Sequence, residues 1–129
     1  MDVKRINLTD AEWNVMECLW EKSPRTGREL TEALGKRCGW SRSTVLTLAA
    51  RLEAKGAVGA ENGGRLKAFR PLVSREEAAL RETEDLLSRA YQGSLSLLVS
   101  TMARRQSLSR AELDELYAIL KEAEGKSDA

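Results

Sequence analysis

A chain of 129 residues, 42% hydrophobic and 32% charged with a net charge of +1, has room for one ordinary domain or for a small domain with an appended element. It has no apolar run of bilayer-crossing length, and residues 1–10 lack the basic-then-apolar pattern of a secretion signal, so a cytoplasmic protein without membrane insertion is expected. With no histidine and only Cys18 and Cys38, a Cys/His zinc site within one chain is out of reach and the commonest general acid/base is missing; no metal and no cofactor are expected.

Four stretches fit the helix-starting capping box: Thr9-Asp-Ala-Glu12, Thr26-Gly-Arg-Glu29, Ser74-Arg-Glu-Glu77 and Ser109-Arg-Ala-Glu112. In each, a hydroxyl can accept from the third helical N–H while the glutamate reaches back to the cap. The first helix, about Asp10–Glu21, carries Trp13, Met16, Leu19 and Trp20 on one broad stripe with Val15 at its margin. Pro24 ends it. A short second helix, about Gly27–Leu34, turns Leu30, Ala33 and Leu34 inward, with Gly35 as its expected stop. A third helix, about Arg42–Lys55, follows Trp40 and closes at Gly56. Trp13, Trp20 and Trp40 are expected to supply most of a small core, and Cys18 to be a partly buried helix residue.

Next, 57–61 and 66–72 read as strands around Asn62-Gly63-Gly64, a strong hairpin signal because both Asn and Gly tolerate positive φ. Val58 and Phe69 are the expected inward anchors, and Pro71 suits an edge strand or its exit. Three helices followed by a hairpin is the order of a winged helix-turn-helix.

From Ser74 the pattern is helical. Leu80, Thr83, Leu87, Ala90 and Tyr91 share one stripe, with Leu86 at its margin. Beyond Gly93, which should interrupt the helix, Leu95, Leu98, Val99 and Met102 form a second, and Leu113, Leu116, Tyr117 and Leu120 a third. Leu97 and Ile119 lie off these stripes. A helical segment of this size closes a core poorly alone. The expected fold is therefore mainly α with a small β-hairpin: a winged helix-turn-helix over 1–73, a helical dimerisation element over 74–124, and a flexible tail over 125–129. The dimerisation residues are Leu87, Tyr91, Leu95, Leu97, Leu98, Met102, Leu113, Leu116, Tyr117 and Leu120. The competing reading of this segment is a lid folded back on the first domain.

Charge and wheel geometry point to nucleic acid. Residues 25–70 hold 10 basic and 4 acidic residues, a net of +6, whereas residues 74–129 hold 8 and 11, a net of −3. On the third helix Val45, Leu48, Ala49 and Leu52 share a core face. Ser43, Thr47, Ala50 and Ala54 lie opposite, with Leu46 and Arg51 on the flanks. The outer face has little bulk and no central carboxylate, as close approach to base edges requires. Ser43, Thr44 and Thr47 can hydrogen-bond bases or phosphates, Leu46 can meet a thymine methyl, and Arg51 suits a phosphate. Arg42, Arg65 and Lys67 are further phosphate candidates. A winged-helix module that binds protein instead of DNA is the rival function. An enzyme is the weakest reading, because no reactive constellation is present.

Ala11-Glu-Trp-Asn-Val-Met16 with Leu19-Trp20, Trp40-Ser41, Thr44-Val45, Thr47-Leu48, Arg51-Leu52, Lys55-Gly56, Gly64-Arg65, Phe69, Pro71 and Gly93-Ser94 together resemble the BlaI/MecI family of β-lactamase repressors, which includes copper-responsive CopY-type regulators. The resemblance spans about residues 6–122. It implies a homodimeric winged-helix repressor on a palindromic operator of double-stranded DNA, with a membrane-bound sensor metalloprotease as the inducer-side partner in resistance members. Ser43, Leu46 and Ala50 stand where the family often has longer polar or basic residues. The terminal cysteine cluster of copper-responsive members is missing. The Asn-Phe bond cut in the cleaved members corresponds to Thr101-Met102 here, so the resemblance does not carry that cleavage over.

Overall fold

The computed structural model describes residues 6–63 and 66–126. The elements run α1 Asp10–Glu21, β1 Arg25–Thr26, α2 Gly27–Cys38, α3 Arg42–Lys55, β2 Val58–Gly63, β3 Leu66–Pro71, α4 Arg75–Ala90, α5 Leu95–Arg105 and α6 Arg110–Lys126.

All four capping boxes form. Thr9 and Glu12 exchange hydrogen bonds with each other's backbone N–H at 3.2 and 2.9 Å, and Thr26 with Glu29 at 3.1 and 2.8 Å. Ser74 with Glu77 and Ser109 with Glu112 do the same. Each pair satisfies two N–H groups that the first helical turn leaves without a partner, worth about 1 kcal/mol per cap.

Helix ends follow glycine only where the chain turns left-handed. α2 does not stop at Gly35; it runs through it to Cys38 and ends at Gly39, whose φ is 72°. The extra turn carries Lys36 and Arg37, cations suited to the negative end of the helix, and Arg37 reaches Glu21 of α1 at 2.8 Å. Gly56, at φ 84°, ends α3 as expected. Gly93 follows the end of α4 with φ 81°, after Gln92 at φ 52°.

The sheet has three strands in the order β1-β3-β2, all antiparallel. The short strand β1 was not expected: Arg25 and Thr26 pair with Phe69 and Ala68. Two residues after a proline, the second of them the cap of α2, carry no periodicity, so only pairing reveals them. In the hairpin, Asn62 pairs with Lys67 and Gly63 with Leu66. Asn62-Gly63 is thus strand rather than turn, and the connection at 64–65 lies outside the described residues. Pro71 occupies the exit of the central strand, beyond the reach of β1, where a missing N–H leaves no gap in that ladder.

The chain divides into two compact units inside α4, between Asp85 and Leu86, farther along than the 73/74 boundary read from the sequence. Arg75 in the first turn of α4 holds Glu17 of α1 at 3.0 Å, and the Trp20 indole donates to Val73 O at 2.9 Å. The core of the first unit is Val15, Met16, Cys18, Leu19, Leu30, Leu34, Val45, Leu48, Ala49, Leu52, Ala57, Val58 and Phe69. Val58 and Phe69 are inward as expected. The tryptophans are not the core: Trp20 and Trp40 pack only partly buried against it, and Trp13 is also half-buried, stacked edge-on against Trp20 at 5.4 Å. Indoles are too large to be enclosed by so thin a helical layer, and aliphatic side chains fill it. Val15, placed at the stripe margin by the wheel, is fully buried, and so is Cys18.

In the second unit, α5 and α6 bury no residue. α6 continues through Gly125 to Lys126, so the flexible tail expected from 125 does not begin there; 127–129 lie outside the described residues.

Candidate nucleic-acid interface

The third helix is built as its wheel requires. Ser41 caps it, accepting from Thr44 N–H at 3.3 Å. Val45, Leu48, Ala49 and Leu52 are buried. Arg42, Ser43, Thr44, Thr47, Ala50, Arg51 and Ala54 are exposed. The capping hydroxyl also donates to Thr44 Oγ1 at 3.2 Å and meets Ser43 Oγ at 3.3 Å. This leaves a small cluster of exchangeable hydroxyls at the helix N-terminus, where partial positive charge favours an anion.

Leu46 is placed differently from its neighbours. It is half-buried, and a Cβ built on Gly27 would lie 2.9 Å from Leu46 Cδ2. Gly27 therefore lets the first turn of α2 close onto α3, with Leu46 as the side chain it closes against. The contact sets the spacing of the helix-turn-helix pair. Arg28, the next residue along α2, is exposed beside this contact. The sequence reading did not assign it; the only signal was a cation inside a capping box.

The surrounding cations fall into two groups. Arg28, Arg42 and Arg51 have no ion-pair partner among the described residues. Lys67 on β3 lies 3.1 Å from Glu53 of α3 and 5.5 Å from the centre of the Phe69 ring. Its ammonium is held beside α3 by a carboxylate, in a pair so exposed that it is weak. Arg70 pairs with Glu61 at 3.6 Å. Arg65, a candidate from the sequence, lies outside the described residues.

A second feature escaped the sequence reading. Glu12 is 1% exposed, and its Oε1 accepts from Thr9 N–H at 2.9 Å and from Lys55 Nζ at 2.5 Å. Burial by itself raises the Glu12 carboxyl, but the hydrogen bond and charge of Lys55 and the hydrogen bonds of Thr9 outweigh it and hold the group below its ordinary value. A capping glutamate looks solvent-exposed in a sequence, and only the packing of α3 across α1 buries it.

Cys18 is fully buried, and burial pushes its thiol above the usual value, which disfavours a reactive thiolate. Among the described residues no group of three His, Cys, Asp or Glu side chains could hold a metal ion, and no helix is long and apolar enough to cross a membrane.

Three helices, a hairpin packed behind the third, and a hydroxyl-lined helix face among cations define a winged-helix DNA-binding regulator. The chain belongs to the penicillinase repressor family, whose model matches residues 8–122. It is 32% identical over 115 residues to the penicillinase repressor of Bacillus licheniformis, covering 89% of this chain and 90% of that one. Over 120 residues it is 28% identical to the methicillin resistance regulatory protein MecI of Mammaliicoccus sciuri, covering 93% and 98%. Among solved structures, the monomeric form of Bacillus licheniformis BlaI in complex with the blaP half-operator superposes with a TM-score of 0.52 at 31% identity, over 57% of this chain and 90% of that one. The protein is a DNA-binding transcriptional repressor rather than an enzyme.

Proposed function

We propose that this repressor acts in the cytoplasm as a homodimer that occupies a twofold-symmetric operator, each protomer setting one α3 in a major groove. The observation that carries the dimer is the second unit. Leu95, Leu97, Val99 and Met102 on α5, and Leu116, Tyr117, Ile119 and Leu120 on α6, are each 42–63% exposed. Leu87, Tyr91, Leu98 and Leu113 are half-exposed, and no residue of α5 or α6 is buried. So much unburied apolar surface on helices without a core of their own is what a self-complementary interface covers.

On the DNA side, Ser43, Thr44 and Thr47 meet base edges or nearby phosphates, while Arg42, Arg51, Lys67 and Arg65 hold the backbone. Leu46 is half withdrawn onto Gly27, which supports a limited thymine contact at most. Inducer-side signalling through a membrane-bound sensor metalloprotease belongs to the same reading. The reading does not include cleavage at Thr101–Met102, which lacks the Asn-Phe pair and lies within α5, where Thr101 Oγ1 donates to Leu97 O at 2.8 Å.

Sedimentation and gel-shift measurements on duplexes with one and two half-sites test the proposal together. A dimer in solution that binds the two-site duplex far more tightly, with affinity falling steeply as salt rises, is expected. A monomer at micromolar concentration, or equal affinity for both duplexes, refutes it.

A further inference from the structure

Lys55 lies at the end of α3 farthest from the hydroxyl cluster, yet it makes more intramolecular polar contacts than any other cation of that helix. Its ammonium donates to Glu12 Oε1 of α1 at 2.5 Å and to Asn7 O in the segment before α1 at 2.8 Å. Asn7 is also reached from α4, where Arg81 Nε lies 3.4 Å from its Oδ1, and Arg81 in turn faces Asp85 at 3.4 Å. The last turn of the recognition helix is thus tied to α1 and to the segment before it, and Asn7 is a point at which α4 joins the same cluster. Arg51, one turn earlier on α3, has no such tie.

We infer that Lys55 and Glu12 are positioning residues for DNA reading: the pair fixes the angle of α3 against α1 and so sets which bases Ser43, Thr44 and Thr47 reach. Two features favour this over the two plain alternatives. A cation serving as a phosphate contact is unpaired, as Arg42 and Arg51 are among the described residues, or held by an exposed carboxylate that yields, as Lys67 is by Glu53, whereas Lys55 is committed to a backbone carbonyl and to a carboxylate that is 1% exposed. A purely stabilising contact at this place needs no ion: Val15, Met16 and Leu52 of the two helices already share one apolar core, and an ion pair whose carboxylate is buried while its lysine side chain stays 35% exposed is generally no more stabilising than apolar packing. What an ion pair adds is a distance and direction that sliding apolar surfaces do not specify. Leu52 is buried and Glu12 anchors the first turn of α1, so a small rotation about the Lys55 end is amplified along α3 toward its N-terminus.

The inference rests on the DNA-reading role proposed for α3, and its test keeps the two separable. The probe is a duplex selected by the wild-type chain from a random library, with calf-thymus DNA as the non-specific competitor. Lys55→Met alone strands a buried carboxylate and can unfold the protein. The informative variant is therefore Glu12→Gln with Lys55→Met, which removes both charges and keeps the amide oxygen as a cap acceptor. With folding verified by circular dichroism, the double variant should bind the selected duplex about tenfold more weakly, with calf-thymus binding and the salt slope unchanged. Lys55→Arg, which keeps the charge and both donors, should recover most of the loss. Unchanged affinity for the selected duplex in the folded double variant overturns the inference. So does a salt slope lower by about one, which marks Lys55 as a direct phosphate contact. If the wild-type chain selects no duplex at all, the DNA-reading role of α3 fails instead, and with it the basis for any positioning.

Discussion

In the first unit, Met16, Leu19, Leu30, Leu34, Val45 and Leu52 are withdrawn from solvent and charges ring the outside, while in α5 and α6 the apolar residues themselves face outward. Both regions contain amphipathic helices of similar length and similar caps. The difference is geometric. In the first unit three helices cross with a sheet behind them, so each stripe finds another stripe within the same chain. α5 and α6 have stripes as apolar as those, but nothing within their own unit encloses them. A cap and a stripe make a helix; a core needs further layers.

The comparison can be broken most forcefully in the core. Leu52→Ala should destabilise the protein by about 2–5 kcal/mol, seen as a thermal melting point lower by roughly 10 °C or more and independent of protein concentration. Leu116→Ala in the second unit should instead lower the melting point by an amount that shrinks as protein concentration rises, because it loosens the contact between protomers and not an intrachain core. A concentration-independent loss of similar size there would mean that this leucine lies in an intrachain core after all.

A substitution aimed at the exposed stripes comes next in size. Tyr117→Glu should weaken self-association by about 2 kcal/mol, or roughly 30-fold in Kd, with the helical content of the first unit preserved. Sedimentation equilibrium reads the change directly. On the DNA face, Arg51→Ala should weaken binding uniformly across sequences and lower the salt slope by about one. A change in sequence preference without a change of slope would reassign Arg51 from phosphate to base.

Smaller effects sharpen the interior of the first unit. The folded-state carboxyl of Glu12 sits below its ordinary value of 4.5, so the unfolded chain takes up that proton more readily. Its contribution to stability is therefore complete above pH 4.5 and is lost as pH falls through and below that value. Glu12→Gln should flatten this part of the stability–pH curve measured by urea denaturation. Last, Gly27→Ala places a methyl group 2.9 Å from Leu46 Cδ2. The flexible end of a leucine can yield, so the melting point should move by only a few degrees. DNA affinity should fall more than stability does, because the α2–α3 spacing changes; equal changes in both would show that the contact is mere packing.

Much of this architecture could be read from residue types. The capping boxes marked four helix starts correctly, because a hydroxyl and a carboxylate three residues apart solve a local hydrogen-bonding problem. Val45, Leu48, Ala49 and Leu52 were assigned inward by periodicity alone and are buried. The exposed face of Ser43, Thr47 and Ala50 was legible for the same reason. What was misread depended on distant partners. Gly35 looked like a stop, but the cations after it and the Glu21–Arg37 contact prolong α2 to Gly39. Asn62-Gly63 looked like a turn, but cross-strand register makes it strand.

By itself, then, the sequence determined where the helices begin, which face of each is apolar, and that the cations cluster around one small-residue helix, because caps, periodicity and charge act over a few neighbouring residues. Tertiary structure alone decided that the core is built on aliphatic side chains with Phe69 rather than on the tryptophans, that Arg25–Thr26 joins the sheet, that Leu46 rests on Gly27, and that Glu12 is buried against Lys55. Each of these depends on how close two segments far apart in the chain approach, and no local pattern of residues encodes that distance.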